Sequence, residues 1–300
     1  MTPQPLAGRT LGFVGVGLMG APMCRNLLAA GAHLVAYNRT REKAEGLSAG
    51  APGRVRVAAS PAELAMAIGD AIIVNLVDTM AVDRALRGPD PAGLLEGLRP
   101  GTLVIDMGTS GVAETRGFAA EVEARGGAYV DAPVSGGVVG AEAASLTVFM
   151  GGRDEAAARA RPVLEVLGRN ITHCGPVGCG QVTKIANQMI VALTIGAVAE
   201  AMALAEKAGV APAVLQQALK GGFADSRILE VHGARMVAES FAPGGRARIQ
   251  RKDVQLALDL GQAVGMELPS SARSIELWDR MIARGWGDLD HSGLIKIYRE

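Results

Sequence analysis

The chain has 300 residues, 49% of them hydrophobic, with 30 basic and 30 acidic side chains. That length can bury a large core and favours two domains. The zero formal net charge leaves no basic footprint for nucleic acid or an anionic membrane, and 3% aromatic residues leave little for base stacking. Three cysteines, Cys24, Cys174 and Cys179, are too few and too odd in number for a disulfide scaffold. His173, Cys174 and Cys179 lie close in sequence, but no second cluster completes a four-ligand metal site. No metal is expected, and all three cysteines read as small buried residues. The opening MTPQPLAGR lacks the apolar core of a secretory signal, so the cytoplasm is the default compartment.

Residues 11–16 (LGFVGV) form a short apolar run ending in glycine, read as a buried strand. Gly15-Val16-Gly17-Leu18-Met19-Gly20 is a G-x-G-x-x-G, followed by a helical pattern over 21–30, a stop at Gly31 and a strand over 33–37 (HLVAY). Strand, glycine turn, helix and strand are the context that the dinucleotide fingerprint requires. Gly15 allows the tight turn, Gly17 lets the backbone approach a pyrophosphate, and Gly20 lets the helix pack closely on the strand. The helix N-terminus offers N–H groups and a positive dipole end to the phosphates. An NAD site would carry Asp or Glu at the end of the second strand. Here Asn38-Arg39-Thr40 stands there, and Arg39 can fork onto a 2′-phosphate. NADP(H) is therefore expected over NAD(H), the alternative being that Arg39 is a solvated loop residue.

The alternation continues with strands over 54–58, 71–77, 102–107, 128–131, 145–150 and 171–173. Between them lie a helix opened by the capping box Ser60-Pro61-Ala62-Glu63 and running to Gly69, and helices over 112–125 and 155–167. This implies an α/β fold with a doubly wound parallel sheet covered on both faces. From Gly178 onward the pattern is helical: 180–208, 212–220, 226–238, 252–264 and 270–284. A Rossmann-type domain over 1–175 is thus expected to precede an all-helical substrate and oligomerisation domain over 176–300. The long helix joins the two.

That helix, within residues 175–210, is apolar on most sides, which marks a buried helix; its polar ends argue against a membrane span. Its polar exceptions, Gln181, Lys184, Asn187 and Gln188, share one face. Unpaired, such buried groups cost about 1–3 kcal/mol each, so the stripe needs a reason. The plain one is a lysine capping a carbonyl at a packing edge. Two other stretches carry chemistry. Asp131-Ala132-Pro133-Val134-Ser135-Gly136-Gly137 ends a strand and can present backbone N–H groups and a hydroxyl to an anion, unless it is an ordinary turn. Lys252-Asp253 is read as starting a helix, whose N-terminus favours Asp.

Together GFVGVGLMG, DAPVSGG, KIANQ, the Lys252-Asp253 pair and the tail DHSGLIKIY resemble, in order and spacing, the β-hydroxyacid dehydrogenase family over nearly the whole chain. That family includes 3-hydroxyisobutyrate dehydrogenases, tartronate semialdehyde reductases and glyoxylate/succinic semialdehyde reductases. The resemblance implies that Gly15, Gly17, Leu18, Met19 and Gly20 hold the cofactor phosphates and that Asn38, Arg39 and Thr40 hold the adenine ribose end. Leu76, Val77 and Thr109 would lie toward the nicotinamide, and Lys252 would touch the cofactor. Ser135, Gly136 and Gly137 would bind a substrate carboxylate, with Asn187 and Gln188 positioning substrate. Lys184 would be the acid/base, with Asp253 supporting it or relaying a proton. These types suit the chemistry: hydride transfer to an aldehyde creates an alkoxide, which a cationic lysine stabilises and then protonates. Of the four histidines, only His291 lies in a matching stretch, and no histidine base is assigned.

Two departures bear on substrate. Gly244-Gly245-Arg246 stands where the family often has an aromatic, and Ala144-Ser145 replaces a commoner Gly-Thr or Gly-Ser. The expected reaction is NADP(H)-dependent reduction of a short semialdehyde, tartronate semialdehyde first. 3-Hydroxyisobutyrate oxidation and glyoxylate or succinic semialdehyde reduction are the near alternatives. An imine reductase or a non-catalytic dinucleotide-binding module is more distant, since Lys184 is retained. Apolar surface in the helical half suggests a homodimer or homotetramer.

Overall fold

The computed structural model describes residues 4–300; the first three residues of the domain expected over 1–175 lie outside them. The chain divides into two compact units, Met1–Lys184 and Ile185–Glu300.

The first unit alternates as expected: β1 (Thr10–Val14), α1 (Gly20–Ala29), β2 (His33–Tyr37), α2 (Arg41–Ala49), β3 (Val55–Val57), α3 (Pro61–Ala67), β4 (Ala71–Val74), α4 (Thr79–Arg87), α5 (Leu94–Gly97), β5 (Leu103–Asp106), α6 (Val112–Ala124) and β6 (Ala128–Asp131). It continues through β7 (Val134–Ser135), α7 (Gly137–Glu142), β8 (Leu146–Gly151), α8 (Asp154–Leu164) and β9 (Gly168–Gly175) into α9 (Cys179–Lys207). Among the described residues nine strands form one sheet in the order β3-β2-β1-β4-β5-β6-β8-β7, with β9 also paired to β8. The order reverses direction at β1, between β2 and β4. In an open α/β sheet such a switch point leaves a crevice at the carboxyl ends of the strands.

The sheet is not wholly parallel. β6 and β7 both pair antiparallel with β8. Apolar runs such as residues 145–150 look the same in either direction, which is why the reversal is invisible in the sequence. Strand alternation still sorts side chains to two faces. Phe13, Leu34, Ile73 and Ile105 enter one core cluster. Val14, Val35, Ile72 and Val104 enter the other. Each buried side chain of this size contributes about 1.5–3 kcal/mol. At the start of α3, Ser60 Oγ accepts from Glu63 N at 3.1 Å, while Glu63 Oε2 reaches past the N-cap to accept from Ala59 N at 2.8 Å.

The second unit takes up the rest of α9 and continues through α10 (Pro212–Leu219), a π-helical turn (Leu229–Gly233), α11 (Ala234–Val237), α12 (Ala247–Val264) and α13 (Pro269–Ala283). A 3₁₀ turn (His291–Ile295) and α14 (Lys296–Arg299) follow. The helix expected over 226–238 is therefore interrupted in its register. By length and composition α9 would cross a membrane. Its Ala192, Ile195, Ala199 and Met202 are packed in a core with Trp278, Met281 and Leu294. Two sequence readings need correction. Cys24 alone of the three cysteines is buried; Cys174 and Cys179 are half-buried. The helix carrying Lys252-Asp253 begins at Ala247, so the pair lies in its second turn and gains nothing from helix-start N–H groups.

Candidate active site

At the end of β1, Gly15 adopts φ +104°, and a Cβ there would stand 2.3 Å from Asn75 O. A Cβ on Gly20 would stand 2.0 Å from Gly15 O, so the turn closes on α1 only because both are glycine. A Cβ on Gly17 would meet nothing within 4 Å, which leaves the face of the turn open to a phosphate. α1 starts at Gly20, and the first N–H groups of a helix have no intrahelical acceptor. Leu18 is exposed and Met19 half-buried beside them. These features fit a dinucleotide pyrophosphate. At the end of β2, Asn38 Nδ2 donates to Thr40 O at 2.7 Å, shaping the loop, while Arg39 and Thr40 are exposed. Burial raises the Tyr37 phenol and the charge of Arg39 opposes that rise.

The loops after β4 and β5 stand next along the sheet. Leu76 is half-buried and Val77 exposed. A Cβ on Gly108 would lie 2.8 Å from Leu76 O, so the 108–110 turn presses against the Leu76 backbone. Asp106, at the end of β5, accepts from Gly108 N at 2.9 Å with one oxygen and from the Tyr129 hydroxyl at 2.9 Å with the other. Burial, reinforced by the Asp106 charge, holds that phenol protonated. Gly111 N donates to Thr79 Oγ1 at 3.0 Å. Thr109 is half-buried at the crest of the turn.

Asp131 ends β6 in register with Asp106. Its carboxylate caps the start of α9, accepting from Gly178 N and Gln181 N at 2.8 Å each. Burial lifts its pKa from the ordinary 3.8 to about 6, against the pull of those backbone donors. The fully buried side chain of Gln181 then spans the β5 turn: Oε1 accepts from Ser110 N at 3.1 Å and Nε2 donates to Gly108 O at 3.0 Å. Lys184 follows one turn later and is 6% exposed. After β6, Ser135 pairs with Thr147, and Gly136 and Gly137 take φ +128° and +60°. Successive N–H groups in such a turn can form an anion nest. Ala144 stands at φ +50°, a left-handed position that favours glycine.

Within the second unit, Gln188 Nε2 donates to Asp253 Oδ2 at 2.6 Å, and Asn187 Nδ2 donates to Gln188 Oε1 at 2.8 Å. Lys252 Nζ lies 3.0 Å from Asp253 Oδ1, a charge contact without hydrogen-bond angles. Gln250 Nε2 donates to Gln188 O at 3.0 Å. The structure thus brings Asn187, Gln188, Lys252 and Asp253 into one network. A Cβ on Gly245 would lie 2.7 Å from the His291 ring, so that imidazole occupies the room a larger residue 245 would need. Burial depresses the His291 pKa from 6.5 to about 4.

Sequence reasoning assigned no role to Asp106 and Asp131 and left Gln181 as an unexplained polar residue. The backbone partners of Asp131 and Gln181 lie 47 to 73 residues away, and the Tyr129 hydroxyl that meets Asp106 lies 23 away, so none leaves a local signal; only the polar stripe on α9 pointed to Gln181.

Residues 10–175 match the NAD binding domain of 6-phosphogluconate dehydrogenase, and residues 178–298 match the NAD-binding domain of NADP-dependent 3-hydroxyisobutyrate dehydrogenase. The chain is 42% identical over 286 residues to the 2-hydroxy-3-oxopropionate reductase of Escherichia coli, covering 95% of this chain and 96% of that one. It is 34% identical to the NAD-dependent L-serine dehydrogenase of Pseudomonas aeruginosa, covering 97% and 98%. Among solved structures it resembles the Mycobacterium tuberculosis 3-hydroxyisobutyrate dehydrogenase with L-serine, at TM-score 0.87, 33% identity and 97% and 99% coverage.

Proposed function

The chain belongs to the β-hydroxyacid dehydrogenase family, whose members are oxidoreductases of CH–OH donors using a nicotinamide cofactor, and we propose that it reduces tartronate semialdehyde (2-hydroxy-3-oxopropionate) to glycerate with NADPH. The observation that carries this reading is Lys184: a buried lysine one turn from the capped start of α9, in a unit that also holds the dinucleotide turn. When bound, the dinucleotide supplies the hydride. Lys184 then meets the developing alkoxide with its positive charge and donates the proton to oxygen. Ser135, Gly136 and Gly137 hold the substrate carboxylate, Asn187 and Gln188 orient the substrate, and Asp253 supports the lysine. Gly15, Gly17, Leu18, Met19 and Gly20 hold the pyrophosphate, Leu76, Val77 and Thr109 line the way to the nicotinamide, and Lys252 touches the cofactor.

The choice of NADP(H) is supported by Arg39, exposed in a loop with no carboxylate at its place. Arg39→Asp should reverse the ratio of kcat/KM for NADPH over NADH; an unaltered ratio would remove that role. The identity to the E. coli reductase favours tartronate semialdehyde, while likeness to the L-serine and 3-hydroxyisobutyrate enzymes keeps a small β-hydroxyacid as second substrate class. The deciding assay follows NADPH oxidation with tartronate, methylmalonate and succinic semialdehydes, glyoxylate and a cyclic imine, for wild type and Lys184→Ala. One semialdehyde should be turned over, with kcat falling roughly 100- to 10,000-fold in the variant while NADPH still binds. Turnover indifferent to Lys184 would sink the mechanism. The helical unit exposes Ile190, Leu204, Val214 and Phe223, which supports a homodimer or homotetramer; a monomeric mass in light scattering at micromolar concentration would refute it.

A further inference from the structure

The first turn of α9 is gripped twice. Its main chain is held by Asp131 at the end of β6, through Gly178 N and Gln181 N. Its side chain at 181 is held by the end of β5, through the two peptide groups that flank Thr109. The 108–110 turn in its turn rests against Leu76 O, and the Leu76 loop against Gly15, where a Cβ would stand 3.0 Å from Leu76 Cδ2. A continuous run of contacts therefore leads from the dinucleotide turn, through the loops after β4 and β5, to the helix bearing Lys184. Three residues of helix, about 4.5 Å of rise, separate Gln181 from Lys184.

We propose that Gln181 is a positioning residue for hydride transfer: by closing its carboxamide on both sides of Thr109 it fixes the loop that faces the nicotinamide at a set distance from Lys184. The inference rests on the reading of Thr109 as nicotinamide-facing and Lys184 as the proton donor. Hydride and proton go to the two atoms of one carbonyl bond, so the donor of each must be placed relative to the other. A 1 Å misplacement in such an arrangement costs about 100-fold in rate. A carboxamide suits this task because it donates to Gly108 O and accepts from Ser110 N without a charge beside Asp106 and Asp131.

The test uses Gln181→Met, which keeps the volume and loses both hydrogen bonds, and Gln181→Glu, which keeps the acceptor for Ser110 N and faces Gly108 O with a second oxygen. Steady-state turnover is measured with NADPH and with its 4-deuterated form, normalised to NADPH-binding sites, alongside NADPH affinity by fluorescence. The expected result is a fall in kcat of roughly 30- to 100-fold in both variants, a primary isotope effect larger than in wild type, and NADPH affinity changed less than about threefold, because the phosphate turn is untouched. Amide exchange at Ser110 should accelerate in Gln181→Met. Wild-type kcat per binding site with an unchanged isotope effect, however low the stability or yield of the variants, would make Gln181 structural only and overturn the proposal. If wild type turns over no member of the substrate panel, the functional reading fails by itself. The clamp is then judged by Ser110 exchange and by the emission of bound NADPH, which must shift in Gln181→Met and would overturn the proposal if they did not.

Discussion

Asp131 in the first unit and Asp290 in the second are both buried to within 1% of completely, and their surroundings drive their acidity in opposite directions. Asp131 is met by backbone N–H groups, chiefly those at the start of α9, and burial raises it to about 6. Asp290 is also pushed up by burial, but the His232 ring 3.4 Å away, the hydrogen bonds from Ser292 N and Oγ and the neighbouring His291 outweigh that and hold it well below the carboxylate range. The Arg235 guanidinium stands 2.7 Å away, and Gly244 N and Gly245 N donate at 3.0 and 3.3 Å. The partial charge of a helix end, about half a unit, offsets the desolvation of a carboxylate less well than a dense shell of side-chain donors. Asp290 is thus a staple joining the Gly244-Gly245 loop, the π-turn region and the tail, whereas Asp131 is a cap that titrates near neutral pH.

The largest test of this contrast is Asp290→Asn. It leaves Arg235 without its buried anion and replaces one acceptor oxygen by a donor facing donors. The expected loss is about 3–5 kcal/mol, typical of breaking a buried charged network. Urea unfolding followed by tryptophan emission reads this unit directly, because both tryptophans, Trp278 and Trp286, lie within it. A loss under about 1 kcal/mol would show that the staple is ornamental.

His291 gives the next effect. Its pKa falls from 6.5 to about 4 on folding, chiefly by burial. A depressed histidine contributes stability that is whole above 6.5 and is lost as pH falls from 6.5 toward 4. At 1.36 kcal/mol per unit, the loss across that window is about 3 kcal/mol. His291→Phe should flatten the acid limb of the tryptophan-monitored unfolding curve by that amount; an unchanged limb would place the titration elsewhere.

Gly180→Ala is expected to be smaller, about 1–3 kcal/mol. Its Cβ would stand 2.4 Å from Phe149 O and 2.7 Å from Asp131 Oδ2. Thermal unfolding by circular dichroism, with amide exchange over residues 178–184, would measure it. Alanine tolerated without cost would mean that the cap has slack.

Much of the first unit was legible in the sequence because its signals are local. The dinucleotide turn announces itself through Gly15, Gly17 and Gly20, and the strands over 33–37 and 128–131 begin and end where their apolar runs do. α4 was missed although Asp78 caps it, accepting from Ala81 N at 2.8 Å, and Val82, Ala85 and Leu86 are spaced for burial. α2 carried a weaker signal, with Ala44 its sole buried residue. What no local pattern could give was the pairing of Asp131 with main-chain groups 47 and 50 residues away, or of Gln181 with the loop flanking Thr109. Side chains that bond to backbone carry no complementary residue in the sequence to match them. The same holds for Gly245, whose lack of a side chain makes sense only once His291 is seen against it.

The smallest expected effect is also the sharpest, because the same substitution that cripples the second unit should barely change the first. Asp131 is raised from 3.8 to about 6, so its contribution to stability is whole below pH 3.8 and is lost as pH rises through 6, the reverse of His291. Above pH 6 the fold therefore carries a buried charge whose cost, over about two units, is roughly 3 kcal/mol. Asp131→Asn removes that charge but turns one acceptor into a donor facing an N–H, a loss of about 1–3 kcal/mol. The two nearly cancel, and at pH 8 the variant should lie within about 1 kcal/mol of wild type, while lacking the stabilising contribution that Asp131 itself makes as pH falls from 6 to 4. Denaturation at both pH values decides it. A loss at pH 8 as large as that of Asp290→Asn would mean that Asp131, too, is held by strong compensation, and the contrast between the two carboxylates would collapse.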